Sequence, residues 1–200
     1  MQVLLETERL ILRRFTEDDA GYLFELDSDP EVMRFLNGGK PTPGEVVENE
    51  ILPRFLRYDE DRPGFGFWAA VEKAGGEFLG WFSLRPSAEG DARQAALGFR
   101  LRRAAWGRGY ATEGARALIR LGFCELGVER VTATTYEDNL ASRRVMEKVG
   151  MTLRRTFRLT PSDLDGIDTY HLESQDLWDG DDVEYALQRT AWEEQRREIG

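Results

Sequence analysis

Between Leu97 and Phe123 the hydrophobic period of the chain changes from two residues to about 3.6, and it changes across a Gly-Arg-Gly turn. Leu97, Phe99 and Leu101 alternate with Gly98, Arg100 and Arg102, the pattern of a strand. Ala111, Ala115, Leu118, Ile119, Gly122 and Phe123 then fall on one face of a helix. Trp106-Gly107-Arg108-Gly109-Tyr110 joins the two. The order strand, glycine turn, helix commits the chain to packing a helix on a sheet.

That order has a chemical use. The first turn of a helix leaves about four N–H groups without partners and carries about half a positive charge. Glycines at 107 and 109 let another group approach the backbone and admit φ > 0. Between Arg100 and Arg120 there are six arginines and one acid, Glu113, in a chain of net charge −10. The turn is therefore a candidate phosphate site, with a plain tight turn as the rival reading. It is not a P-loop, because no Gly-Lys-Ser/Thr follows, and Thr112 stands where a dinucleotide fingerprint carries its third glycine.

Downstream, Val131 to Tyr136 is rich in β-branched residues and reads as a strand. Glu137-Asp138-Asn139 starts a short helix over Leu140–Val149, closed by Gly150. With this segment the chain resembles the GNAT superfamily of acyl-CoA-dependent N-acyltransferases. The matching residues are GRGYATE at 107–113, Asn139 to Ser142, and Glu147 to Met151, at their joint spacing. Within the superfamily it is similar to the branch that holds the ribosomal-protein N-terminal acetyltransferases, over about Thr7 to Trp192.

The resemblance implies acetyl-CoA as co-substrate and no metal. It gives the cofactor's pyrophosphate to the backbone of Gly107, Arg108, Gly109, Tyr110, Ala111 and Thr112, beside Trp106. It gives the thioester carbonyl to strand amides near Phe99 and Leu101, an oxyanion-type contact, and gives Asn139 and Ser142 contacts to the pantetheine end. Many family members carry a proton-donating Tyr seven residues after the Asn; here that position is Met146. In the resembled branch the Ser three residues after the Asn takes the role of general acid, which is Ser142. The usual base, a Glu two residues before the strand glycine, is replaced by Ala96, so Glu137, next to Asp138, is the fallback base. Ala104 stands where Gln or Arg often precedes the first glycine by three.

The rest of the chain supplies the other elements. Thr7–Phe15 alternates as a strand, and Thr16 with Asp19 forms a capping box ahead of a helix to about Leu26. Asp29-Pro30 starts a second helix. Gly44–Tyr58 is amphipathic, and Pro53 must kink or split it. Gly64–Val71 and Glu77–Leu84 are strands about a Lys73–Gly76 hairpin turn, and 87–92 turns into the strand that ends at Leu101. Thr152–Leu159 and Val183–Leu187 are the last strands, and 191–198 is a charged helix or frayed tail. Between the last strands lies a loop over 160–182 with eight acids, long enough to be functional. The fold class is α/β of the α+β type. A mixed, mostly antiparallel sheet of about seven strands has helices on both faces. The strands flanking the Gly-Arg-Gly helix should be parallel, since a helix joins them. One domain spans residues 1–200.

Composition narrows the function classes. No apolar run approaches a membrane span, and the N-terminus lacks the basic region and apolar core of a secretory signal. One cysteine forbids an internal disulfide and suits a cytoplasmic protein. Cys124 is expected in or near the core, and with one histidine, His171, in a loop-like stretch a zinc site is not expected. A pI near 4.8 argues against a nucleic-acid partner and suits a cationic acceptor. The reading is an N-acetyltransferase that passes an acetyl group from acetyl-CoA to a primary amine, on a protein N-terminus or a small molecule, by direct attack in a ternary complex. The alternatives are a non-catalytic CoA-binding module and a transferase of a larger acyl group such as succinyl. Dimers are common in the family, so a homodimer is compatible with this reading.

Overall fold

The computed structural model describes residues 2–61, 64–86, 91–158, 160 and 180–199. Eight strands run through them: β1 (Val3–Glu6), β2 (Leu10–Arg13), β3 (Gly66–Glu72), β4 (Phe78–Pro86), β5 (Gln94–Leu101), β6 (Arg130–Tyr136), β7 (Thr152–Phe157) and β8 (Asp182–Gln188). They form one sheet in the order β1-β2-β3-β4-β5-β6-β8-β7. Every neighbouring pair is antiparallel except β5 and β6, which are parallel. The strand beyond the expected count of about seven is β1. Its four residues, VLLE, are exposed or half-buried, so no period marks them in the sequence.

The helices are α1 (Ala20–Ser28), α2 (Pro30–Asn37), α3 (Gly44–Val46), α4 (Leu52–Asp61), α5 (Tyr110–Cys124), α6 (Leu140–Lys148) and α7 (Arg189–Ile199). Local chemistry sets their ends. Asp29 accepts from the Glu31 amide at the start of α2, and Gly38, at φ 75°, ends it. A wide π turn, Val47–Ile51, joins α3 to α4 just ahead of Pro53. Proline donates no amide to the preceding turn, and the wider turn absorbs that loss without breaking the helix.

The sheet is packed on both faces. On one, Phe67, Ala69 and Trp81 meet Leu23 and Leu26 of α1, Val47 and Ile51 of the π turn, and Phe55 of α4. On the other, Leu12, Trp68, Phe82 and Leu97 meet Leu118, Ile119 and Phe123 of α5 and Met146 of α6. A Cβ at Gly114 would run into the Phe82 ring, so this glycine sets how closely α5 lies on the sheet. Cys124 is exposed, contrary to expectation. It follows Phe123 by one residue and falls four after Arg120, on the stripe of α5 that faces water. The 160–182 loop lies outside the described residues apart from its ends, as do 87–90 of the expected turn into β5.

The α1 entrance carries a pH-dependent contact. Buried Asp19 takes two 2.7 Å bonds from Arg13 and one of 2.8 Å from the Thr16 amide. Burial pushes its carboxyl up, but the Arg13 and Thr16 bonds outweigh that and hold it below the usual aspartate range. A depressed carboxyl contributes stability above its unfolded pKa and loses it as pH falls through the folded one. Urea unfolding should therefore show the wild type losing stability steeply below about pH 4. Asp19→Asn should be less stable at pH 7 and show a flatter acid limb. Parallel acid limbs would remove Asp19 from the account.

Candidate functional site

Two features of the sheet create the site. The first is the parting of β5 and β6. They pair only at Gln94–Arg130, Ala95–Val131 and Ala96–Thr132. Beyond those residues β5 stays paired with β4 to Leu101, and β6 with β8 to Tyr136. The two strands therefore diverge after Ala96 and Thr132, which opens a wedge in the middle of the sheet. Backbone alternation then sets which amides face it. Arg102 donates to Leu79 O at 2.8 Å, on the β4 side. By the two-residue repeat, Arg100 and Gly98 face β4 as well, and the amides of Phe99 and Leu101 point away from it, into the wedge. Trp106 closes one edge of this stretch by donating its Nε1 to Leu101 O at 2.7 Å.

The second feature is the turn that follows. Residues 106–109 are exposed, and Gly107 and Gly109 take φ of 71° and 84°. Only glycine holds such angles without strain, which is why the turn is spelled with two. The first backbone bond of α5 runs from Glu113 N to Gly109 O at 3.0 Å. Among the described residues, none of the amides of 107–112 makes a close, well-aligned bond to a backbone carbonyl. They form an unsatisfied cluster at the positive end of a fifteen-residue helix.

The side chains of that turn are engaged elsewhere. Tyr110 is buried and its hydroxyl donates to Glu72 Oε1, which raises the phenol above its ordinary pKa. Arg108 lies over the Tyr110 ring, 5.0 Å from its centroid, and reaches Glu72 at 3.3 Å. Ala111 and Thr112 are half-buried. The arginine cluster around the turn is largely neutralised by acids that are distant in sequence. Arg100 meets Asp27 at 2.5 Å, Arg102 meets Glu25 at 3.3 Å and Glu77 at 3.6 Å, and Arg103 meets Asp29 at 3.3 Å. The capacity of the turn for an anion therefore rests chiefly on backbone amides.

A set of residues that the sequence pattern did not single out braces the turn from behind. Arg9 Nη1 donates to Arg108 O at 2.9 Å, and its Nε and Nη2 reach Glu113 Oε2 at 2.7 and 2.6 Å. Glu113 Oε1 accepts from the Arg9 amide at 2.8 Å and from Thr7 Oγ1 at 2.6 Å. Burial pushes the Glu113 carboxyl up, but these bonds together hold it below its ordinary range. Glu113 as the lone acid among six arginines was the available signal. Its partner, 104 residues away, was not.

On the far side of the wedge, Asn139 begins α6. Its Oδ1 accepts from the Ser142 amide at 3.2 Å and its Nδ2 donates to Thr135 Oγ1 at 3.0 Å. The N-cap role of this residue is thus present, with one lone pair and one N–H left over. Ser142 is half-buried, and among the described residues its hydroxyl makes no hydrogen bond. Met146, one turn on and on the same helix face, is buried in the core. Glu137 is exposed at the end of β6, where its carbonyl accepts from Arg143 at 2.9 Å. Helix α6 is tied to α5 by Arg116, which donates to Lys148 O at 2.8 Å. Among the described residues no three His, Cys, Asp or Glu side chains gather as a metal would need, and no helix is long and apolar enough to cross a membrane.

Residues 9–152 match the family model of the acetyltransferase (GNAT) domain. The FsC-acetyl coenzyme A-N(2)-transacetylase of Aspergillus fumigatus is 33% identical over 198 residues, covering 96% of this chain and 78% of that protein. YkkB of Bacillus subtilis is 34% identical over 155 residues, 77% of this chain and 88% of its own. Among solved structures, a GNAT-family acetyltransferase from Bacillus anthracis aligns with a TM-score of 0.73 at 24% identity, over 95% of this chain and 99% of that one. RimL, a ribosomal L7/L12 α-N-protein acetyltransferase in complex with coenzyme A, aligns with a TM-score of 0.71 at 17% identity, over 94% and 98%. At those identities the two structures share the fold with this chain.

Proposed function

This chain belongs to the GNAT acetyltransferase family, and from that premise we propose that it transfers an acetyl group from acetyl-CoA to a primary amine by direct attack in a ternary complex. The observation that carries the reading is the row of amides at 107–112 without a backbone acceptor, starting on the exposed Gly107–Gly109 turn and heading α5 beside a wedge into which the Phe99 and Leu101 amides point. In this reading the turn binds the diphosphate of CoA and the pantetheine arm runs into the wedge. The thioester oxygen then lies against a β5 amide, which stabilises the negative charge that forms on it. The amine nitrogen adds to the carbonyl carbon, the C–S bond breaks, and the acceptor nitrogen gives up one proton while the CoA sulfur gains one. Ser142 passes its hydroxyl proton to sulfur and is reprotonated, by way of solvent, with the proton that the nitrogen releases. Asn139 fixes Ser142 through its amide and keeps a free N–H for the pantetheine.

The need for a base depends on the amine. Neutralising a lysine side chain at pH 7 costs about 4–5 kcal/mol, whereas an α-amine costs about 1 kcal/mol. No acid stands at position 96, and Glu137 is exposed. Both facts favour an acceptor of α-amine type, on a peptide or a small molecule, over an unactivated lysine. Acetyl is the acyl group proposed; competition among acetyl-, succinyl- and longer acyl-CoAs, read by product mass, tests it.

A non-catalytic CoA-binding module is the second reading. The burial of Met146 at the place of the family's usual acid, and Ala96 at that of its base, favour it. Two measurements decide. Calorimetry with CoA should saturate below about 1 mM ligand, and absence of binding overturns both readings. Thiol release from acetyl-CoA across a panel of amines should then be detected, and its absence on every amine leaves the binding module.

A further inference from the structure

Resting on the CoA-binding reading above, we propose that Arg9 is a positioning residue for the diphosphate turn. It would hold the Arg108–Gly109 peptide plane in the orientation that presents the Gly109 amide to an anion, with Glu113 holding Arg9 in place. The geometry is specific. A trans peptide is planar, with its C=O and N–H pointing in opposite directions. Arg9 Nη1 captures Arg108 O at 2.9 Å. The N–H of that same peptide, which belongs to Gly109, therefore points away from Arg9, and the described residues give it no acceptor. The guanidinium also lies close beneath the turn, since a Cβ placed on Gly109 would sit 3.3 Å from Arg9 Nη2.

Arg9 acts here through geometry more than through charge. Its Nε and Nη2 are spent on Glu113 at 2.7 and 2.6 Å, so the pair is close to neutral as seen from the turn. The guanidinium carbon also lies over the Tyr110 ring, 4.5 Å from its centroid, a further contact that holds the group beside the turn. Glu113 is fixed in turn by Thr7 and by the Arg9 amide, at 2.6 and 2.8 Å. A planar fork spans a carboxylate and a carbonyl at once, and a lysine ammonium, a point charge on a flexible stem, does not. The amide is thus oriented before the ligand arrives, and binding does not have to order the turn.

The test compares two donors: acetyl-CoA, and acetyl-pantetheine, which carries the thioester without the diphosphate. In Arg9→Lys, which keeps the charge, kcat/KM for acetyl-CoA should fall about tenfold through KM, as for loss of one oriented hydrogen bond to an anion. kcat/KM for acetyl-pantetheine should stay at the wild-type value. Glu113→Gln, which leaves Arg9 in place but removes its anchor, should show the same split. Equal losses on both donors would make the residues merely structural and overturn the proposal, as would an unchanged KM for acetyl-CoA. Wild-type protein that binds no CoA by calorimetry would instead overturn the functional reading on which this one rests.

Discussion

Asp27→Ala should lower the free energy of unfolding by about 3–5 kcal/mol, the cost of leaving a buried cation without its carboxylate. Asp27 and Arg100 have side chains only 1% and 4% exposed, at 2.5 Å from each other. They join the end of α1 to the C-terminal end of β5, with the Arg100 guanidinium 5.2 Å from the centroid of the Trp81 ring. Attraction in such a place barely repays the desolvation of both ions, so the pair adds little net stability. What is costly is to remove one partner only. The double variant Asp27→Leu with Arg100→Met, which removes both charges and keeps most of the volume, should recover the greater part of the loss. Urea unfolding of the three proteins reads this directly. A single variant within 1 kcal/mol of wild type, or a double variant as unstable as the single, would show that charge burial is not what the pair governs. The consequence reaches the site, because Arg100 lies between Phe99 and Leu101, whose amides face the wedge. With α1 released from β5, activity should fall before the protein unfolds.

Arg100 also shows where sequence reading succeeds and where it cannot. Its alternation with Leu97, Phe99 and Leu101 was enough to place it on a strand, and the glycines at 107 and 109 were enough to place the turn and α5. The parallel β5–β6 pair followed from a helix joining two strands. These are local signals, set by a few consecutive residues. The same local view counted Arg100 in a basic cluster around the turn. The carboxylate it meets, Asp27, lies 73 residues away on α1, and no period connects them. The bracing of Arg108 by Arg9 is invisible for the same reason. Strand β1 and the exposure of Cys124 failed differently. β1 has no buried face to mark it, and one residue's step around a helix separates Phe123 in the core from Cys124 in water. Asn139 and Ser142 came from the family resemblance, but which of their atoms are spent on capping α6 was only legible in three dimensions.

Ser142→Ala should reduce kcat by roughly 100-fold or more, the lower end of what a positioned general acid contributes, while the affinity for CoA changes little. Two effects compete to stabilise the departing sulfur in the proposed reaction. One is a proton from the Ser142 hydroxyl. The other is the N-terminal end of α6, whose dipole favours a nearby thiolate by about 0.3–1 kcal/mol, or about 2 kcal/mol when partly buried. The dipole survives the substitution, because the Ser142 amide that bonds Asn139 Oδ1 at 3.2 Å belongs to the backbone. The size of the loss therefore separates the two. A fall of less than about tenfold means that the helix end suffices, and the proton role of Ser142 is abandoned. A rise in the CoA dissociation constant at constant kcat would make the hydroxyl a binding contact only. Restoring a donor one turn along the same helix face, as Ser142→Ala with Met146→Tyr, does not offer a clean rescue, since Met146 is 2% exposed and a phenol there would overpack the core. Ser142→Thr keeps the hydroxyl on the same backbone position and should retain most of the rate. If Thr is as slow as Ala, the hydroxyl is not what Ser142 contributes.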